Sequence, residues 1–272
     1  MNRTNPIGVF DSGIGGLTVV KQVASFLPSE NIVYFGDTAR VPYGSKSNAT
    51  VIEYSIQDAK FLLKKNVKMI VVACNTASSA ALNELKENFE IPVIGMIEPG
   101  ARTALTKTKN GKIGVIGTYA TINNKAYSKE LKRLDKKINV YEKACPLFVP
   151  LAEEGLIDHK ATELIAKEYL GELKELGIDT LILGCTHYPI LSKVIQKVMG
   201  QKVTLIDSGT AASGIVEEYL RARDIKNPSN IQGEHKFYVS DLPAKFKEVA
   251  DRFLGKPVKH IQKIDLEELI GH

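Results

Sequence analysis

The chain has 272 residues, 44% hydrophobic and 25% charged, and a formal net charge of +5. These are ordinary values for a globular protein, and the length allows one large domain or two small ones. The longest apolar run, Met69 to Cys74, is far below the roughly 18 to 20 residues that span a bilayer, so no membrane-spanning helix is predicted.

The positive charge is mild, and its distribution, not its sign, argues against a nucleic-acid partner. Its loose clusters, Lys107, Lys109, Lys112 and Lys132, Arg133, Lys136, Lys137, have no aromatic residues among them and predict a solvated surface. The polar stretch Met1 to Pro6 lacks a charged-then-apolar leader pattern, which predicts a cytoplasmic protein. Three cysteines, Cys74, Cys145 and Cys185, form no CxxC pair. They read as free thiols, not as a disulfide framework or zinc ribbon, and no metal site is predicted.

Ile7 to Phe10 predicts a short buried strand, followed by the glycine-rich turn Asp11-Ser12-Gly13-Ile14-Gly15-Gly16 and a helix with Leu17, Val20, Val23 and Leu27 on one face. Such a turn lets backbone approach a ligand and offers helix N–H groups to an anion. It is not GxGxxG, so a dinucleotide is not expected. A second strand, Asn31 to Phe35, leads to a loop carrying Arg40, Pro42, Tyr43 and Gly44, with turn chemistry suited to covering a pocket. A helix over about 48–65 precedes a strand ending at Cys74. A helix over about 76–88 and a strand over 92–96 follow.

Near Glu98-Pro99-Gly100 the pattern starts again. A helix is predicted over about 101–106, and Lys112 to Thr118 repeats the layout of Ile7 to Ser12, with Thr118 and Thr121 in place of Asp11 and the glycine turn. A helix over about 122–134, a strand near Val140 and a helix over 160–176 lead to a strand ending at Cys185. Another strand spans 203–206, then a helix over about 211–221. The tail predicts a strand at 237–239, a helix over about 244–254 and an extended piece over 258–261. Alternating strands and helices predict two similar α/β domains with mostly parallel sheets. The boundaries predicted are 1–97 with 208–272 for the first and 98–207 for the second.

The repeat directs attention to its two cysteines. Val71-Val72-Ala73-Cys74-Asn75-Thr76 and Ile182-Leu183-Gly184-Cys185-Thr186-His187 are each an apolar strand ending in a thiol, with a helix pattern beyond. Ligands bind at the carboxyl ends of strands in such folds, and a helix N-terminus there can lower a thiol pKa. A buried cysteine is otherwise a small core hydrophobe, the reading that suits Cys145. His187 fits a cap or core position as well as proton handling, Asp11 and Ser12 fit helix caps, and Tyr43 fits loop packing. Two thiols flanking one tetrahedral carbon would allow a proton to leave one face and return on the other. Cofactor-free racemisation or epimerisation is a coherent use of that pattern.

The motifs Asp11-Ser12-Gly13-Ile14-Gly15-Gly16-Leu17, Pro42-Tyr43-Gly44, Ala73-Cys74-Asn75-Thr76-Ala77, Pro146 to Gly155 and Gly184-Cys185-Thr186-His187-Tyr188-Pro189 together resemble the signatures of the glutamate racemase family. The resemblance implies a cofactor-independent enzyme that interconverts L- and D-glutamate in the cleft between two pseudo-symmetric α/β domains and supplies D-glutamate for peptidoglycan. It implies Cys74 as the base for D-glutamate, assisted by Asp11, and Cys185 as the base for L-glutamate, assisted by His187. Glu153 or its neighbour Glu154 would be the matching carboxylate. Ser12, Pro42, Tyr43, Gly44, Asn75, Thr76, Thr118, Thr121 and Thr186, with Asp11 and His187, would line and hold the substrate. Family members are often dimers, so a homodimer is expected. An aspartate racemase of the same superfamily, or a small-molecule binding protein with inert cysteines, are the rival readings.

Overall fold

A computed structural model of the chain describes residues 2–265 and 267. Among these residues the strands form two sheets in which every pairing is parallel. The first begins with β1 (Ile7–Asp11), β2 (Ile32–Gly36), β3 (Met69–Val72) and β4 (Val93–Ile94). The second holds β5 (Lys112–Gly117), β6 (Asn139–Ala144), β7 (Thr180–Gly184) and β8 (Thr204–Asp207). The chain then returns to the first sheet with β9 (His235–Val239) and β10 (Ile261–Lys263).

Strand order exposes the repeat. The first sheet runs β10-β9-β2-β1-β3-β4 and the second β6-β5-β7-β8. The order 2-1-3-4 therefore recurs as 6-5-7-8. Cys74 lies just past β3 and Cys185 just past β7, so the two thiols follow equivalent strands. β1, β2, β3 and β7 are buried along their whole length, because helices cover both faces of a parallel sheet and the strands must be apolar throughout.

The first half supplies α1 (Leu17–Phe26), α2 (Asn48–Leu63), α3 (Asn75–Ala80), α4 (Leu82–Asn88) and α5 (Ile97–Lys107). The second adds α6 (Tyr119–Asn123), α7 (Ala126–Leu134), α8 (Phe148–Glu153), α9 (Lys160–Glu175) and α10 (Ser192–Met199), and the tail α11 (Ser208–Ala222) and α12 (Phe246–Leu254). Ser47 caps α2 by accepting from the Thr50 N–H, which satisfies one of the free donors at a helix start. α11 contacts α1 as well as α5, β7 and β8. One apolar cluster runs through it from Val9 and Val20 to Leu181 and Leu183, joining both sheets.

Four local expectations change. The helix predicted over 76–88 breaks at Ala81, whose φ of −118° and ψ of −5° leave helical geometry. The helix predicted over 122–134 becomes α6 and α7, separated by Lys125 in the left-handed region at φ 52°. α5 begins at Ile97, ahead of the predicted start, since Pro99 falls in a first turn whose N–H groups have no intrahelical partner. α8, a short helix containing Pro150 just after Pro146, has no counterpart in the sequence reading, because a proline inside a helix argues against one.

Candidate active site

β3 delivers Cys74 to the N-cap of α3. Its Sγ accepts from the Ala77 N–H at 3.4 Å and lies 3.6 Å from Ser12 Oγ. Burial, together with the charge of Asp11, pushes this thiol up to about 12, against the Ala77 N–H and the Ser12 hydroxyl. The helix terminus was expected to lower it. Instead removal from water outweighs one N–H contact.

Asp11 ends β1 and is fully buried. Its Oδ2 accepts from the Gly13 N–H at 3.1 Å, and Oδ1 has no hydrogen-bond partner among the described residues. Burial raises its pKa, and the nearby His187 opposes that rise. Tyr34 donates to the Gly13 carbonyl at 2.6 Å and so anchors the turn. Glycine is required at 15, where a Cβ would sit 2.3 Å from Thr186 Oγ1 and 2.5 Å from His187 Nδ1.

Past β7 the second thiol is arranged differently. Cys185 is followed by a 3-10 turn over Tyr188–Leu191, and α10 starts only at Ser192. No α-helix N-terminus meets its sulfur. A side chain takes that place: His187 Nδ1 lies 3.8 Å from Cys185 Sγ, and Nε2 lies 2.9 Å from Glu153 Oε1. Burial works against a charged imidazole, but hydrogen bonds to Cys185 and Glu153 and their charges prevail, and His187 is raised to about 10. Glu154 instead faces Lys245 at 3.2 Å on the exposed surface.

Both cysteines open on one cavity of about 200 Å³, walled by Pro42, Tyr43, Gly44, Asn75, Thr76, Thr118, Thr186 and His187, with Ser12 beside Cys74. A wider open groove of about 690 Å³ along β9 and β10 has none of these residues in its walls. The sequence profile of the Asp/Glu/Hydantoin racemase family matches residues 17–215. The chain belongs to that family.

Racemases of this family that are named for glutamate resemble the chain over nearly its full length. A glutamate racemase from Geobacter metallireducens is 51% identical over 96% of this chain and 97% of its own. The crystal structure of a glutamate racemase isoform from Bacillus anthracis superposes with a TM-score of 0.94 at 41% identity, over 97% of this chain and 99% of its own. A glutamate racemase from Francisella tularensis in complex with D-glutamate gives 0.91 at 43% identity, again over 97% and 99%. The chain is thus an amino-acid racemase, an isomerase with the two-sheet α/β fold.

The racemase brings most of its sequence-predicted site residues to the cavity wall, but not all by the same atoms. Thr121 stands behind the wall, its Oγ1 3.3 Å from Thr76 and 3.1 Å from Thr118. Asp11 and Glu153 are likewise one layer back, each reaching the site through a neighbour. The Tyr43 hydroxyl turns away from the cavity, donates to Asp37 at 2.5 Å and lies 3.0 Å from Asp58, in a buried cluster closed by Arg40. Asn75 is engaged by Tyr127, which donates to its Oδ1 at 2.7 Å, and by Ser208 at 3.2 Å. Cys145 is fully buried outside the wall.

Wall residues that sequence reasoning missed are Val41, Ser45, Tyr119, Pro146, Val149, Pro150 and Gly184. Most are direct neighbours of motif residues. Val149 and Pro150 belong to the proline-rich segment that also holds Glu153, and its unusual composition was the available signal.

Proposed function

We propose that this racemase interconverts L- and D-glutamate by a cofactor-independent two-base mechanism, with Cys74 and Cys185 as the bases. The reading is carried by two thiols from equivalent strand ends that open on a single cavity of about 200 Å³, the scale of one amino acid. The D-glutamate complex of the Francisella relative supports the substrate.

In this reading the Cys74 thiolate takes the α-proton of D-glutamate. A Sγ–H bond forms, the Cα–H bond breaks, and its electron pair delocalises into the α-carboxylate. The Cys185 thiol then gives its proton to the opposite face, and L-glutamate runs the sequence in reverse. Asp11 assists Cys74; His187, held by Glu153, assists Cys185. Burial disfavours the Cys74 thiolate in the empty site, yet the same rise makes it a stronger base once ionised, which suits a weak carbon acid. The ammonium of an arriving substrate favours the thiolate by its charge.

Thr76, Thr118 and Thr121 place three hydroxyls 2.9 to 3.3 Å apart, a donor cluster suited to a carboxylate. Ser12, Asn75 and Thr186 hold the other polar groups of the substrate, and Pro42, Tyr43 and Gly44 shape the wall. Residues 1–97 with 208–272 act as one unit and 98–207 as the other, closing to exclude water. Residues 1, 266 and 268–272 of that division lie outside the described residues. The family resemblance supports a cytoplasmic homodimer that supplies D-glutamate for peptidoglycan, and basic clusters without interleaved aromatic residues favour no nucleic-acid partner.

The test is incubation of the purified chain with L-glutamate or L-aspartate in D₂O, without added cofactor. Loss of optical rotation and deuterium at Cα are expected with glutamate. Deuterium entering aspartate alone would overturn the substrate assignment, and exchange into neither would overturn the racemase chemistry proposed for the two thiols.

A further inference from the structure

α12 lies between β9 and β10, two strands of the first sheet, and packs on α1. Yet it reaches the assembly beside β7 through two side chains. Phe253 is fully buried and turns its ring edge-on to His187, with centroids 5.2 Å apart and planes at 77°. Arg252 Nη1 donates to the Glu153 carbonyl at 2.9 Å, and Nη2 pairs with Glu248 at 2.9 Å. Gly155 has φ +73°, and a Cβ there would lie 2.8 Å from the Arg252 guanidinium. The guanidinium therefore fills the space left by that glycine and closes the C-terminal end of α8.

The last carbonyls of a helix lack intrahelical partners and carry partial negative charge, so a guanidinium there both satisfies and fixes them. The residue fixed is Glu153, whose carboxylate lies 2.9 Å from His187 Nε2. We propose that Arg252 and Phe253 are positioning residues for the His187–Glu153 pair, so that the tail of the chain sets the geometry of the second thiol's helper. This deepens the reading above, in which His187 serves Cys185. The charged groups facing His187 are Glu153 from α8, Cys185 from the end of β7 and Asp11 from β1. α12 contributes the Phe253 ring and, one step back, Arg252 with Glu248.

The experiment follows the His187 imidazole by NMR in the full chain with ¹³C-labelled histidine, its signal identified by its loss in His187→Gln. Arg252→Gln lets α8 and Glu153 drift from the ring, so the His187 midpoint is expected to fall by about one pH unit or more. Arg252→Lys, which keeps a cation at the carbonyls, restores most of it. In parallel, kcat for L-glutamate is expected to fall roughly tenfold in Arg252→Gln with little change in KM. Phe253→Leu keeps the apolar fill without the ring and is expected to lower kcat while leaving KM in place.

An unchanged His187 midpoint in Arg252→Gln overturns the proposal, whether or not the variant melts earlier. A wild-type kcat in Phe253→Leu overturns that residue's part. If the midpoint moves as expected but the wild-type chain racemises no glutamate, the positioning role stands and the substrate assignment falls.

Discussion

Thr76 Oγ1 lies 2.9 Å from Thr118 Oγ1, a contact that joins the two halves of the cavity. Thr76 lies two residues past the first cysteine in the first turn of α3, whereas Thr118 follows β5 of the second sheet directly and caps α6. Two hydroxyls facing each other from different sheets can reorient together toward one carboxylate. Thr118→Val is therefore expected to raise KM for glutamate roughly tenfold or more, the scale of one lost hydrogen bond to a charged group at ~1.5 to 3 kcal/mol. Steady-state kinetics check this, and an unaltered KM would remove the pair from substrate binding.

The two thiols separate by isotope exchange. Cys185→Ser retains Cys74, so it is expected to wash the α-proton of D-glutamate into D₂O without producing L-glutamate. Cys74→Ser should do the same for L-glutamate. Racemisation falls in both by about 10³-fold or more, because neither face can be served alone. NMR of the α-proton in each enantiomer distinguishes the variants. Ordinary racemisation by either one would sink the two-base mechanism.

Glu153→Gln removes the carboxylate 2.9 Å from His187 Nε2. His187, held up at about 10, should then fall toward its ordinary 6.5. The alkaline limb of kcat/KM for glutamate is expected to move to lower pH, since the imidazolium is lost earlier. The sign carries over to stability. With a folded pKa above 6.5, this histidine's contribution is full below pH 6.5 and is lost as pH rises through about 10. Glu154→Gln, at a carboxylate that pairs with exposed Lys245, should stay within about 0.5 kcal/mol of wild type with an unmoved profile.

Gly15→Ala places a Cβ 2.3 Å from Thr186 Oγ1 and 2.5 Å from the His187 ring. Relief requires moving the Thr186 and His187 side chains or the glycine turn itself, and either change disturbs the ring beside Cys185. Activity is expected to drop about 100-fold, because displacement of about 1 Å at a reacting group costs that much. Stability should fall by only ~1 to 3 kcal/mol. Urea unfolding beside kinetics separates the two effects, and a near-wild-type rate would show that the ring tolerates displacement.

Lys68 and Glu30 form a buried ion pair 2.5 Å apart, with Lys68 also donating to the Arg3 and Ile225 carbonyls at 2.8 and 2.9 Å. The Asn227 N–H donates to Glu30 at 2.7 Å. The pair thus ties the segment after α11 to the start of β3. Lys68→Met leaves a buried carboxylate uncompensated and is expected to cost ~3 to 5 kcal/mol. The double variant Lys68→Met, Glu30→Gln should recover part of that loss. Equal losses in single and double variants would show that the carbonyl contacts matter more than the charge.

Much of this was local and therefore legible in the chain. Apolar runs such as Met69 to Val72 and Leu181 to Leu183 must be buried on both faces, which makes them parallel strands with helices between. Both runs end at a cysteine in the sequence, and both cysteines line the same cavity. The glycine turn after Asp11 also carried its meaning locally, since close approach requires the absence of a Cβ.

What needed tertiary structure was everything set by distant neighbours or by exclusion of water. Burial beside Asp11 raises the Cys74 thiol where a helix terminus alone would lower it. The choice between Glu153 and Glu154 depends on which way α8 faces. Tyr43 spends its hydroxyl on Asp37 and Asp58 because α2 passes behind the loop. Arg252, about a hundred residues from Glu153, gains its place only when the tail folds back. Periodicity along a chain specifies which residues are buried, but protonation and aim depend on the charges and dielectric that folding gathers around each atom.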